Sequence, residues 1–426
     1  MKILFLSENF MPETNAAATR VHERAVYWAK WGHQVTVLTT APNFPQGKLF
    51  AGYKNHWYRR EVIDGITVIR VKTFIAANHG VVLRSLDFVS FMVSAVIAGL
   101  LQPRPDIVIA TSPQFFTAIG GWALAALRRL PFVFELGDLW PRSIVAVGAI
   151  RIRWVIRLLE CIELFLYRRA ASVVALTDAF KENLVGRGIP PGKVVVIRNG
   201  VDLQRYAPRP RDQALARTFA IAECFVIGYV GTHGLAHDLG NVLEAAERLR
   251  DARIIFLFVG AGAEREMLVA EAARRRLPNV KFIPMQPKEA MAGIWSLCDV
   301  ALVHLKDSPA FAEVIPSKIF EAMAMGLPII LVAPHGEASK IIADDDAGLW
   351  VPAGNPVALA EAAAALLADP GRRAGFAAHS LAASRYHTRE HQAAAFIAAL
   401  QVVIQPSEQL AAASAETRLG QTPPSE

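Results

Sequence analysis

Residues 299–332 read DVALVHLKDSPAFAEVIPSKIFEAMAMGLPIILV. The opening run, Asp299 to His304, is short, apolar and β-branched, and predicts a buried strand. Pro316 and Ser317 predict the start of a helix reaching about Met325, because Pro suits a first helical turn and Ser an N-cap. Gly326-Leu327-Pro328 ends it, and 327–332 resumes as a second apolar strand. Neither strand alternates polar with apolar residues. That is the signature of a parallel sheet covered on both faces.

The same unit repeats in both directions. Apolar runs lie at 2–7, 34–40, 66–71, 106–111, 131–135, 172–177 and 193–198, then at 225–230, 253–259, 279–284, 299–304, 327–332 and 347–351. Helical spacing fills most of the gaps, as at 16–31, 113–129 and 238–250. So many strands are too wide for one sheet. The chain is therefore expected to form two doubly wound, Rossmann-like α/β domains. The boundary falls at Arg198-Asn199-Gly200-Val201-Asp202, giving domains 1–198 and 199–384. Residues 405–426, rich in Ser, Thr, Pro and Ala, predict a disordered tail.

Composition agrees with this plan. The 426 residues are 53% hydrophobic and only 19% charged, which excludes a disordered chain. The formal charge is +7, so anionic partners are favoured: phosphates, a membrane surface or nucleic acid. Cys161, Cys224 and Cys298 stand far apart, so neither a disulfide framework nor a zinc site is expected. No secretory signal is read at the N-terminus, and a cytoplasmic location is expected. Two segments complicate that picture. Residues 88–101, FVSFMVSAVIAGLL, are too few to span a bilayer but suit a buried or membrane-dipping helix. Residues 151–169, RIRWVIRLLECIELFLYRR, are amphipathic, with five Arg against two Glu and interleaved aromatics. Such a helix suits a membrane interface, or a core helix whose Arg stems cover apolar surface.

Chemistry is concentrated where the opening stretch meets its helix. Glu313 and Glu321 are eight apart, with Ser317 and Lys318 between them. A Lys near a helix amino end attracts anions, and adjacent carboxylates accept hydrogen bonds from sugar hydroxyls. Spacing alone fits an ordinary capped helix equally well. Placement sharpens the reading, because open α/β sheets bind ligands at the carboxyl ends of their strands. His335-Gly336-Glu337 follows the next strand at the same edge.

From Asp299 to Val351 the sequence resembles the retaining glycosyltransferases of family 4, which have the GT-B fold of two Rossmann-like domains facing a cleft. Glu313 and Glu321 match the E-x7-E motif. The run PSK-x-FE-x-MA-x-G-x-P with Gly336-Glu337 is similar to bacterial transferases of O-antigen, capsule and exopolysaccharide clusters, especially the L-fucosamine transferases. The resemblance also takes in Phe258-Val259-Gly260-x-Gly262, Asn199-Gly200-Val201-Asp202 and Gly32-His33-x-Val35. It extends to about residue 404, and it implies that the last helix, about 385–404, packs back on the first domain.

Carried over residue by residue, the resemblance implies a donor site in the second domain. Glu321 would hold the ribose, Glu313 the donor sugar, and Lys318 the diphosphate, with Ser317 and Glu337 beside them. Gly231 lets backbone approach phosphates after the strand 225–230, with His233 as an assisting group. Many relatives have an Arg and a Lys after this turn, where this chain has His233, His237 and Asp238. On the acceptor side the resemblance points to Asn15 and Arg20, and to Asp138 as the residue that aligns or deprotonates the acceptor hydroxyl. No metal and no other cofactor is expected. The activity implied is transfer of a sugar from a nucleotide-diphosphate donor, UDP-linked and possibly UDP-N-acetyl-L-fucosamine, to a polyprenyl-diphosphate-linked oligosaccharide. The partners are then that donor, that acceptor and the inner membrane surface. A non-catalytic nucleotide-sugar-binding partner and a nucleotide-sugar epimerase are the alternatives. Gly260-Ala261-Gly262-Ala263-Glu264-Arg265 begins like a dinucleotide fingerprint but lacks its third glycine. Nucleic-acid signatures are missing too.

Overall fold

The computed structural model describes the backbone except at residues 45–46, 76–80, 113, 143–144, 146–151 and 420–426, and the side chains except also at 81–82 and 406–419. Two compact units emerge. The first comprises Met1–Pro141, Ile150–Ile197 and Gln392–Glu426, and the second Arg142–Ala149 and Arg198–His391.

The first unit carries eight strands: β1 Lys2–Leu6, β2 Gln34–Thr40, β3 Tyr58–Ile63, β4 Ile66–Val71, β5 Ile107–Thr111, β6 Phe132–Leu136, β7 Ser172–Ala175 and β8 Val194–Val196. Their order is β3-β4-β2-β1-β5-β6-β7-β8, parallel throughout except for the β3–β4 hairpin. The hairpin strand β3, YRREVI, is absent from the sequence reading. It sits at the sheet edge with one side to solvent, so half its residues are polar and the apolar run is broken. The unit's helices include α1 Ala16–Lys30, α2 Val81–Leu100, α3 Phe115–Arg128 and α4 Arg153–Arg169.

Helix α2 is longer than the apolar stretch within it, because it starts upstream and takes in Arg84 and Asp87. By length and composition it could cross a membrane. Its inner face packs on the unit: Phe91 and Ala95 are buried, and Gly99 lies so close to Leu124 of α3 that a Cβ there would collide. Its outer row, Leu86, Val93, Ile97 and Leu100, is exposed. Helix α4 exposes Trp154, Leu158 and Phe165 between Arg153, Arg157 and Arg168. Residue 151 of the expected amphipathic segment lies outside the described residues.

The last helix, Arg389–Leu419, inserts Ala393, Phe396 and Leu400 into the first unit's core beside Phe5 and Trp28. Trp28 Nε1 donates to the Ala393 carbonyl at 3.0 Å. This helix continues to Leu419 through residues expected to be tail, and 420–426 lie outside the described residues.

The second unit is a six-stranded, all-parallel sheet. Its strands are β9 Phe225–Val230, β10 Ile254–Val259, β11 Val280–Ile283, β12 Val300–His304, β13 Ile329–Ala333 and β14 Gly348–Pro352, in the order β11-β10-β9-β12-β13-β14. The winding direction reverses between β9 and β12, which opens a crevice at their carboxyl ends. Three helices flank it: α5 Arg265–Arg274, α6 Lys318–Ala324 and α7 Glu337–Asp344.

Candidate functional site

Two loops are knotted together at the crevice of the second unit. After β9 the chain enters Gly231 with φ +140°, and after β10 it enters Gly260 and Gly262 with φ +149° and +156°. A Cβ on Gly260 would lie 1.9 Å from the Gly231 carbonyl oxygen, and one on Gly262 would lie 2.2 Å from that of His233. Only glycine permits this backbone-on-backbone approach. The glycine pair that imitates a dinucleotide fingerprint thus serves to lock one loop against its neighbour. Backbone hydrogen bonds complete the lock, from Gly231 N to the Val259 carbonyl and from His233 N to that of Ala261, both at 2.9 Å.

Lys318 comes to this knot from the β12 side. It opens α6 directly after Ser317, whose hydroxyl makes no capping bond, although a Ser cap was expected. The ammonium Nζ lies 3.9 Å from the centre of the Tyr229 ring and would be 2.9 Å from a Cβ on Gly231. It is sealed from solvent and has no hydrogen-bond partner among the described residues. Burial pulls its pKa down to about 7, and the charge of Glu321 recovers only part of that.

His233 is fully buried, packed against Tyr229, Phe258 and Phe282, and neither ring nitrogen has a partner. Burial, and then the charges of Arg265 and Lys318, lower its pKa to about 4. It is therefore a neutral imidazole with one donor and one acceptor unused. His237 and His304 are also kept neutral, chiefly by burial, but they bond to each other's backbone carbonyls. They are structural.

The acidic members sit around this centre. Glu321 lies in the first turn of α6 and accepts a 3.3 Å bond from Trp295 Nε1. Glu313, in the loop before that helix, pairs with Arg142 at 2.8 Å. Glu337 is buried at the start of α7, with the Arg198 guanidinium 3.9 Å away. The second unit therefore gathers Gly231, His233, Ser317, Lys318 and Glu321 about the β9/β12 crevice, with Glu313 on the loop after β12 and Glu337 at the start of α7 after β13.

The first unit tells a different story for its own candidates. Asn15 caps α1, its Oδ1 accepting from Ala18 N at 2.9 Å. Arg20 is not a surface residue. It is buried, with Nε 3.2 Å from Glu135 Oε1 and a terminal nitrogen donating to Thr111 Oγ1 at 3.1 Å. Glu135 lies 115 positions along the chain, on β6, and also takes Arg24 at 2.7 Å. Burial alone would raise the Glu135 pKa, but Arg24 and Arg20 outweigh it and hold the carboxyl at about 2. Asp138 is half-buried just after β6, where Ser112 Oγ accepts the Gly137 and Asp138 N–H groups at 2.8 and 3.3 Å. Among the described residues no group of His, Cys, Asp and Glu is arranged to hold a metal ion.

Family comparisons match this architecture. Residues 15–200 match the Glycosyl transferase 4-like domain, and residues 214–380 match Glycosyl transferases group 1. The chain is a glycosyltransferase of the GT-B fold. Among relatives of this glycosyltransferase is the colanic acid biosynthesis glycosyl transferase WcaI of Escherichia coli K12, 28% identical over 78% of this chain and 83% of its own length. A GDP-mannose-dependent alpha-mannosyltransferase of Mycobacterium tuberculosis is 26% identical over 83% of this chain and 84% of its own. The crystal structure of Anabaena HepE in complex with UDP and glucose superposes with a TM-score of 0.71 at 19% identity, covering 94% of this chain and all of that one. The glycosyltransferase is thus related to enzymes of polysaccharide biosynthesis.

Proposed function

We propose that this glycosyltransferase takes a sugar from a nucleoside-diphosphate donor, UDP-linked, and transfers it with retention of configuration to a lipid-linked oligosaccharide at a membrane surface. One observation carries the donor half of the reading. The crevice of the second unit holds a buried ammonium and a buried imidazole with no hydrogen-bond partner among the described residues, beside a glycine turn. Buried polar groups are normally satisfied, so such a pair awaits an anionic ligand. HepE, of the same fold, was crystallised with UDP and with UDP-glucose, which supports a nucleotide-sugar donor. WcaI, with its colanic acid pathway, supports a polysaccharide product.

In this reading Lys318 and His233 receive the diphosphate, Glu321 the ribose, and Glu313, Ser317 and Glu337 the donor sugar and its surroundings. The diphosphate leaves without metal assistance, stabilised by fixed donors. Asp138 aligns the acceptor hydroxyl. Arg20 drops out of the ligand set, because Glu135 occupies it. No side chain is placed as a covalent nucleophile, and front-face displacement serves the reaction as well.

The membrane half rests on the exposed apolar row of α2 and the Trp154, Leu158, Phe165 row of α4, flanked by arginines. Helix α3 links them, packing its Trp122 edge-to-face on Phe165 at 4.9 Å.

The decisive experiment incubates the full chain with membranes and labelled UDP- and GDP-sugars, then extracts lipid. Label in the lipid fraction is expected with a UDP-sugar and is lost in Lys318→Ala and Glu321→Ala. Undiminished transfer by folded Lys318→Ala would sink the donor assignment. Donor binding without turnover would indicate a non-catalytic partner, and sugar interconversion without lipid an epimerase. Failure to bind anionic vesicles at low salt would remove the membrane surface from the proposal.

A further inference from the structure

The knot of glycine loops holds a third unsatisfied group, and a second cation, which neither the sequence motifs nor the donor reading uses. Arg265 opens α5, at the end of the loop after β10. Its Nε is buried and has no hydrogen-bond partner, and among the described residues it forms no ion pair. Its place is fixed by the backbone lock. Arg265 N donates to the Gly262 carbonyl at 3.1 Å, and the neighbouring Glu264 N donates to that of His233 at 3.0 Å. His233 Nε2 in turn would lie 3.5 Å from a Cβ on Gly260, whose other neighbour is Gly231. Gly231 is the glycine against which Lys318 Nζ rests. The locked backbone of Gly231, Gly260 and Gly262 thus joins Lys318 to Arg265, whose charge acts on the His233 ring.

The charge count calls for such a group. A diphosphate brings more than one negative charge, Lys318 supplies at most one positive charge, and His233 is neutral. Arginine keeps its charge in any protein environment and presents a planar fork that matches phosphate oxygens. A guanidinium with a buried, unused N–H beside a buried, unused imidazole has the chemistry of a phosphate ligand. It lacks what a structural arginine has, an acid to pair with.

We propose that Arg265 is the second cationic ligand of the donor diphosphate, reaching it from the β10 loop while Lys318 reaches it from the β12 side. This assignment rests on the nucleoside-diphosphate reading above. It assigns positive charge to a loop that pattern matching would reserve for dinucleotides.

The test uses the full chain, titrated with UDP and GDP by calorimetry and with uridine and guanosine by ligand-observed NMR. Arg265→Gln is expected to weaken the preferred diphosphate by about tenfold or more, a loss of about 1.4 kcal/mol. The nucleoside affinity should move by less than about twofold, and Arg265→Lys should fall between Gln and wild type. Arg265→Met, which keeps the aliphatic stem, is the second variant if Gln disturbs the fold. A merely structural arginine would weaken nucleoside and diphosphate alike. That outcome, or no change in either, overturns the assignment and leaves the donor reading standing. If the wild-type chain binds neither UDP nor GDP, the donor reading falls and takes Arg265 with it.

Discussion

Each unit buries positive charge beside a strand end, and the two do so in opposite ways. In the first, Arg20 and Arg24 close on one carboxylate, Glu135, and Arg24 stacks its remaining face 4.1 Å from the centre of the Phe396 ring. In the second, Lys318 rests on the face of Tyr229 without an ion pair or hydrogen bond among the described residues, and His233 and Arg265 keep nitrogens with no hydrogen-bond partner there. The first arrangement has its counter-charge in place and holds the fold, although Arg24 Nε and Nη2 and Glu135 Oε2 make no hydrogen bond among the described residues. In the proposed reading the second meets its counter-charge only when an anionic ligand binds. Neither burial nor an unused hydrogen-bonding atom therefore marks a functional residue; a buried cation without an ion pair is the better mark.

Breaking the completed cluster should have the largest effect. Glu135→Gln leaves two arginines buried without their counter-charge, at a cost of about 3–5 kcal/mol. Urea denaturation of the full chain should register this as a lower midpoint. A cost below about 1 kcal/mol would mean that Arg20 and Arg24 relax to solvent, and the contrast between the units would lose its basis.

Breaking the incomplete cluster should do the reverse, harming function and sparing stability. Lys318→Ala is expected to lower kcat/KM for transfer by about 100-fold or more, the scale of losing a fixed electrostatic donor. Lys318→Met should stabilise the free chain. The folded-state pKa of about 7 lies below that of an unfolded lysine, so the unfolded state binds the extra proton between those values. Stability from this group is lost as pH falls from the unfolded lysine value to about 7, and below that the loss is complete and constant. At pH 6.5 the Met variant should melt about 2–4 °C higher, equivalent to about 1 kcal/mol, and should lose the further rise that UDP gives wild type.

The same amine makes donor affinity pH-dependent. Free Lys318 loses its proton above about pH 7, and a bound diphosphate restores it. UDP affinity should therefore fall as pH rises from 7 to 9, by up to about tenfold per unit, with a proton taken up on binding. Calorimetry in buffers of different ionisation enthalpy measures that uptake. A flat profile would show that the ammonium is charged before the ligand arrives.

How much of this could be read from sequence depends on the range of the interactions. Both sheets were legible because a doubly covered parallel strand must be apolar along its whole length. Strand β3 was not, being an edge strand with one wet side. Lys318 was legible because its helix start and both strands lie within one local stretch. The burial and pairing of Arg20 were not legible because its partner, Glu135, is brought to it only when β6 joins the sheet beside β5. Arg265 was hidden by its own motif: the glycines before it suggest a dinucleotide, whereas they permit two loops to touch. Helix α2 exceeded its apolar core because Arg84 and Asp87 fall within it.

Asn15 combines both kinds of group in one side chain, and so gives the finest test of the contrast. Its Oδ1 is consumed by the cap on α1, while its Nδ2 is buried without a partner. Asn15→Ala should cost about 1 kcal/mol, the usual value of a lost N-cap. Asn15→Asp keeps an acceptor at the helix start, where negative charge is favourable, and should stay within about 0.5 kcal/mol of wild type. Aspartate nevertheless removes the N–H. If that N–H serves the acceptor, Asn15→Asp should raise the acceptor KM and leave the donor KM unchanged. If Asn15→Asp matches wild type in both, Asn15 belongs with Arg20, as a residue whose polar chemistry is spent on the fold.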